Sequence, residues 1–143
     1  MSMRVVRPGL LTTVQDLGRW GKQRYGVIVG GAMDPFALRV ANLLVGNEEN
    51  DAALEMTLLG PTLRFEKSAL ISLCGGEFRA QLGDQPLPLW RPVSVPRGST
   101  VNCGSASSGC RGYLAIAGGV DVPLVLGSRS TYLLGGIGGY CVK

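Results

Sequence analysis

Apolar residues in this chain come in short runs, closed by glycine, proline or polar turns at intervals of roughly ten residues, the rhythm of a sandwich or barrel. Met3 to Val6 reads as a first strand ended by Pro8-Gly9, and Leu10 to Val14, with Thr12 and Thr13, as a second. Tyr25 to Val29 is a further strand candidate leading into Gly30-Gly31. Ala53 to Leu59, Thr62 to Phe65, Ala69 to Cys74, Phe78 to Leu82, Leu87 to Leu89, Pro92 to Val95 and Thr100 to Cys103 continue the series. Gly75-Gly76, Gly83-Asp84, Arg97-Gly98 and Ser105 to Gly109 read as the turns between them. Gly112 to Ala117 is the most apolar strand, and Leu124 to Leu126 reads as short and buried.

One stretch breaks this rhythm. Phe36, Val40, Leu43 and Leu44 recur at helical spacing on one face, with Arg39 and Asn42 off the stripe. Asp34 is a good N-cap, and Pro35 suits the first helical position, where a missing N–H costs nothing. Gly30-Gly31 permits a sharp turn beforehand, and Gly46-Asn47 supplies a stop. The pattern predicts a mainly β chain with one principal helix near residues 34–45.

Composition narrows the functional classes. The 143 residues suit a single domain over 1–143, and the 22 glycines and 8 prolines show no collagen-like period. The net charge of +4 is dispersed, so the clustered footprint of a nucleic-acid binder is missing. The chain has no histidine, which excludes a Ser-His-Asp triad and a histidine-ligated metal within it. Four cysteines, Cys74, Cys103, Cys110 and Cys141, form no CxxC pair, so no metal site is expected. Cys74 reads as a buried small hydrophobe, and Cys103 and Cys110 are placed to face each other across a Gly/Ser turn. There is no signal-peptide pattern and no run of about 20 apolar residues. The expectation is a cytoplasmic protein with reduced cysteines and no membrane contact.

Three places carry candidate chemistry. Gln15-Asp16-Leu17-Gly18-Arg19-Trp20 gathers an amide, a carboxylate, a guanidinium and an indole in one loop, a mixture that builds sites. It equally suits a structural turn in which Asp16 pairs with Arg19. Glu55 interrupts an apolar strand: it is either buried and paired, or alternates outward on a half-exposed strand. Gly127-Ser128-Arg129-Ser130-Thr131 sets a guanidinium among three hydroxyls, which suits an anion or carboxylate as well as a hydrogen-bonded turn.

Several blocks together resemble the allophanate hydrolase subunit 2 family, also called the KipA family. They are Arg7-Pro8-Gly9-Leu10 with Thr12 to Asp16 and Gly18-Arg19; Gly30 to Asp34; Ala41 to Asn47; Ala53-Leu54-Glu55; Tyr113-Leu114-Ala115; Gly118 to Pro123; and Leu126 to Thr131. The resemblance implies a cyclophilin-like β-barrel and the N-terminal half of a family whose members usually carry two such halves. It implies a subunit of an ATP-dependent 5-oxoprolinase, opening pyroglutamate to glutamate beside a KipI-like partner and a third subunit. The alternatives within the family are a urea amidolyase-type biotin-dependent carboxyltransferase component, and a regulatory partner that opposes a KipI-like kinase inhibitor. The substrate is then a small-molecule amide. The chain itself is expected to bind no cofactor and no metal, ATP being used by the complex, since no phosphate-binding loop is present. Association with itself or with a partner is expected, because a surface normally covered by the second half is bare. The enzyme reading makes Asp16 and Glu55 the acid–base candidates. It makes Gln15, Arg19, Asp34, Asn42, Arg129 and Ser130 the substrate-binding candidates. Asp34 has a rival role as helix cap, and Asn42 as a tie between loop and helix.

Overall fold

The computed structural model describes residues 3–138 and the backbone of 141–142. Strands dominate it, with one α-helix, as the residue pattern predicts. One sheet holds β1 (Met3–Arg7), β4 (Thr62–Phe65), β9 (Thr100–Asn102), β6 (Gln81–Leu82) and β7 (Gln85–Pro86), in that spatial order. The other runs β11 (Cys141–Val142), β2 (Thr12–Gln15), β3 (Ala53–Thr57), β10 (Ala106–Ile116), β5 (Ala69–Phe78) and β8 (Val93–Val95). All pairings are antiparallel. Among the described residues the two ladders stay separate rather than closing into one hydrogen-bonded ring.

The sheets enclose one apolar core. Leu54 and Met56 of β3, Leu114 and Ile116 of β10, and Ile71 and Leu73 of β5 meet Leu63 and Phe65 of β4 and Val101 of β9 there. Strand alternation sends the intervening residues to the opposite face of the six-stranded sheet. On that face Ala53, Cys74, Tyr113 and Ala115 lie under the helix α1 (Pro35–Leu44). Under the helix this sheet is therefore buried on both faces, which is why Tyr113 to Ile116 of β10 is fully buried.

Helix α1 begins and ends where the residues predict. The Asp34 carboxylate accepts from the Ala37 N–H at 3.1 Å, Pro35 opens the first turn, and Gly46 takes a left-handed φ of 79° beyond the last. The packing face matches the predicted stripe only in part: Val40 and Leu44 pack half-buried against the sheet, but Phe36 and Leu43 do not. Ala37, Leu38, Ala41 and Asn42 are buried, whereas Phe36 is 68% exposed and Leu43 points to solvent. Small residues decide this: Ala37 and Ala41 let the helix approach a sheet face that is itself floored by alanines. The Ser72 hydroxyl reaches the Ala41 carbonyl at 2.5 Å across that contact. Outside it, the exposed Phe36 ring lies 6.4 Å from that of Trp90.

Other elements depart from expectation for local reasons. Tyr25 to Val29 forms no strand; a 3₁₀ turn over Gln23–Tyr25 is closed by left-handed Gly26, leaving Tyr25 and Ile28 exposed. Leu124 and Leu126 are exposed on a tight turn, with Leu126 at a φ of 51°, because the carbonyl of Val125 faces inward to a buried arginine. Gly75-Gly76 and Ser105 to Gly109 are not terminal turns. They lie in or beside β5 and β10, where the register shifts twice, and Gly75 at a φ of 112° accommodates the irregularity. Cys103 is buried and Cys110 exposed, so they do not face each other across a turn.

Candidate functional site

The register of the six-stranded sheet sets four side chains in a row beneath the helix N-terminus: Thr13 of β2, Glu55 of β3, Tyr113 of β10 and Cys74 of β5. Glu55 takes the buried, paired alternative, only 6% exposed. Its Oε2 accepts from the Tyr113 hydroxyl at 2.7 Å and from the Met33 N–H at 2.9 Å. Its Oε1 lies 3.5 Å from the Arg111 guanidinium, which also donates to Thr57 Oγ1 at 2.8 Å. The Tyr113 hydroxyl in turn accepts from the Asp34 N–H at 2.9 Å. Burial, reinforced by hydrogen bonding to the Glu55 carboxylate and by its charge, pushes the Tyr113 phenol well above its usual range, so Tyr113 stays protonated. Met33, Asp34, Glu77 and Arg111 open onto a cavity of about 430 Å³ beside this row. Glu55 stands behind Arg111.

A second cluster forms where the end of β2 meets the loop at 125–131. Asp16 is buried, with four protein donors on its carboxylate. Oδ1 accepts from the Gly18 N–H at 2.9 Å, the Ser128 hydroxyl at 2.6 Å and the Ser130 hydroxyl at 2.7 Å. Oδ2 accepts from the Arg129 N–H at 2.8 Å. Arg19 does not pair with Asp16. It is 1% exposed, its Nε donating to the Val125 carbonyl at 2.7 Å and its Nη2 to the Ser130 carbonyl at 2.9 Å and the Ser128 carbonyl at 3.2 Å. Both side chains therefore shape the distant loop. Gln15 donates to Thr13 Oγ1 at 3.0 Å and to the Thr131 carbonyl at 3.2 Å, while its buried Oε1 has no partner among the described residues.

The turn at Gly30-Gly31 joins the two clusters. Ala32 donates to the Asp16 carbonyl at 2.9 Å, and the next two N–H groups go to Glu55 and Tyr113. Of the residues singled out from the sequence, Gln15, Asp16, Arg19, Arg129 and Ser130 thus converge, and Asp34 and Glu55 meet next to them. Asn42 lies apart at the far end of α1, donating to the carbonyls of Asp51 at 2.8 Å and Glu49 at 3.2 Å, the tie between loop and helix. Tyr113 and Arg111 are not among the sequence candidates, whereas Ser128 lies in the Gly127–Thr131 loop that is. Tyr113 left a signal: a hydroxyl inside the most apolar strand needs a partner, and Glu55 is the buried acceptor that needs a donor.

The fold and site define a two-sheet β domain in which the one α-helix among the described residues covers a buried carboxylate–phenol pair with a half-buried guanidinium beside it. The chain belongs to the family described as carboxyltransferase domain, subdomain A and B, whose family model matches residues 25–143. It is 45% identical over 140 residues to urea amidolyase of Saccharomyces cerevisiae, covering 97% of this chain and 8% of that protein. It is 44% identical over 137 residues to a 5-oxoprolinase subunit of Escherichia coli, covering 96% of this chain and 44% of that relative. The crystal structure of K. lactis urea amidolyase superposes with a TM-score of 0.94 at 45% identity, over 96% of this chain and 8% of that one. The chain thus spans less than half the length of these relatives, which are enzymes or enzyme subunits by name. No helix among the described residues is long and apolar enough to cross a membrane.

Proposed function

We propose that this chain forms part of a subunit of an ATP-dependent 5-oxoprolinase, opening the lactam of 5-oxoproline to glutamate together with a KipI-like partner and a third subunit. The observation that carries the reading is the unequal hold on the two oxygens of Glu55. Oε2 is fixed by two short hydrogen bonds, whereas among the described residues Oε1 meets only Arg111, at 3.5 Å. Asp16, the other acid–base candidate, has four donors on its carboxylate and is committed to the loop. Glu55 is thus the carboxylate assigned the acid–base role, beside Arg111, which lines the Asp34 cavity. Arg111 supplies the positive charge that a lactam oxygen needs as it gains negative charge or a phosphoryl group. The phosphoryl chemistry of ATP belongs to the other subunits. The similarity to the Escherichia coli 5-oxoprolinase subunit supports the same reading.

The comparable identity to urea amidolyase favours a second reading, a component of a biotin-dependent urea carboxyltransferase. One reconstitution separates them. The protein carrying this chain, mixed with the two partner subunits and ATP, should release glutamate from 5-oxoproline, and omitting it should abolish release. Glu55→Gln should lower turnover about a hundredfold, as loss of a general acid–base group does. No glutamate from the complete mixture overturns the first reading. Carboxylation of urea with bicarbonate, ATP and a biotin carrier would then establish the second.

A further inference from the structure

The two arginines of the Asp16 cluster differ in what they leave open. Arg19 is buried and directs Nε and Nη2 to backbone carbonyls. Arg129 is held from behind and left open in front. Its backbone N–H donates to Asp16 Oδ2 at 2.8 Å and its Nε to the Val122 carbonyl at 3.0 Å. Both Nη groups have no hydrogen-bond partner among the described residues. Arg129 belongs to the wall of a separate cavity of about 340 Å³, formed with Asp51, Asp121 and the turn at Gly118-Gly119. Asp51 Oδ2 accepts from the Glu48 N–H at 2.9 Å, Oδ1 has no hydrogen-bond partner among the described residues, and Asp121 is exposed.

No ion pair joins Arg129 to either carboxylate among the described residues. Opposite charges therefore line one cavity without neutralising each other. Two carboxylates against one guanidinium make the cavity unfavourable for phosphate or any other dianion. A ligand that carries its own carboxylate and its own N–H donors satisfies both sides at once. The volume lies at the small end of ligand sites, which run from about 300 to 1,000 Å³. The anchored Nε and backbone N–H hold the fork before a ligand arrives, which lowers the ordering cost of binding.

We propose that this cavity binds the head group of a small amino acid or lactam acid, its carboxylate on the Nη groups of Arg129 and its ammonium or amide N–H on Asp51 and Asp121. The site is separate from the Glu55 centre, so either assignment can fail without the other.

Titration calorimetry on the purified protein, without partner subunits, tests this with L-glutamate, 5-oxoproline, acetate and inorganic phosphate as probes. L-glutamate or 5-oxoproline should bind saturably and more tightly than acetate or phosphate. Arg129→Lys should weaken that binding about tenfold or more, because lysine lacks the planar fork. The double variant Asp51→Asn with Asp121→Asn should weaken it to a similar degree while leaving acetate binding no weaker, because two repelling charges are removed. A melting curve accompanies each variant, and the double variant carries the test should Arg129→Lys unfold. Tighter binding of phosphate, no binding of either amino-acid probe, or binding indifferent to the double variant each overturns the inference.

Discussion

Replacing Tyr113 by phenylalanine removes one oxygen and keeps the ring that packs under α1. That oxygen donates to Glu55 at 2.7 Å and accepts from the Asp34 N–H at 2.9 Å, so two groups lose a partner. A hydrogen bond to a charged acceptor contributes about 1.5–3 kcal/mol, and a buried N–H left unpaired costs a further 1–3 kcal/mol. The Asp34 N–H is only partly buried, which places the total near 3 kcal/mol. The unfolding entropy is about 2.1 cal/mol/K per residue, or roughly 0.3 kcal/mol/K over 143 residues, so the melting temperature should fall by about 10 °C. Scanning calorimetry near neutral pH reads this directly. The pH dependence gives a second reading. Tyr113 is harder to ionise folded than unfolded, so its contribution is fully present below the ordinary tyrosine range near 10 and declines as pH rises above it. The substitution should remove that part of the alkaline destabilisation. A fall of less than about 2 °C would show that Glu55 and the turn before α1 are held without the phenol, and the account of the row would be wrong.

Gly30→Ala and Gly31→Ala should separate by thermal melting. Both residues have positive φ, which costs an alanine about 1–2 kcal/mol, but only at Gly31 would the new Cβ stand 2.7 Å from the Gly18 nitrogen, so Gly31→Ala should cost clearly more. On the helix, Ala41→Leu should destabilise by about 1–3 kcal/mol through overpacking, whereas Phe36→Ala should change urea stability by less than about 0.5 kcal/mol beyond its helix propensity. Burial pushes the Cys74 and Cys103 thiols up to about 12. A maleimide at pH 8 followed by peptide mapping should therefore label exposed Cys110 in the folded protein and Cys74 and Cys103 only after unfolding. Because unfolded thiols ionise earlier, these two also make stability fall as pH rises from about 9 towards 12.

Capping chemistry was legible in the chain because it is local. Asp34, Pro35 and Gly46 act within a few residues of each other, and α1 starts and stops accordingly. The buried face was half legible, since Val40 and Leu44 of the apolar stripe do pack, while the larger Phe36 and Leu43 face solvent and Ala37 and Ala41 make the closest contact. Which side chains pack closest depends on Ala53 and Ala115, which lie on strands far along the chain. The same limit applies at the site. Glu55 stood out as an unusual residue, but its neighbours are fixed by register between β3 and β10, which no local pattern encodes. Asp16 and Arg19 looked like partners because they are three residues apart. In the fold each turns to the loop at 125–130 instead.

That long reach has a consequence for how the chain is made. The hydroxyls that satisfy Asp16 lie 112 and 114 residues further along, at Ser128 and Ser130. Synthesis at about 5–20 residues per second puts on the order of ten seconds between the appearance of Asp16 and that of its partners. During that interval neither Asp16 nor Arg19 can bury its charge, because the groups that neutralise their polarity do not yet exist. Loop-closure entropy grows only slowly with length, about 0.6 kcal/mol per doubling, so the late closure remains affordable once the partners arrive. The β2 end is therefore kept wet until the 125–130 loop has been synthesised, and a nascent chain stopped before residue 125 would carry a hydrated, open edge where the finished protein has a sealed one.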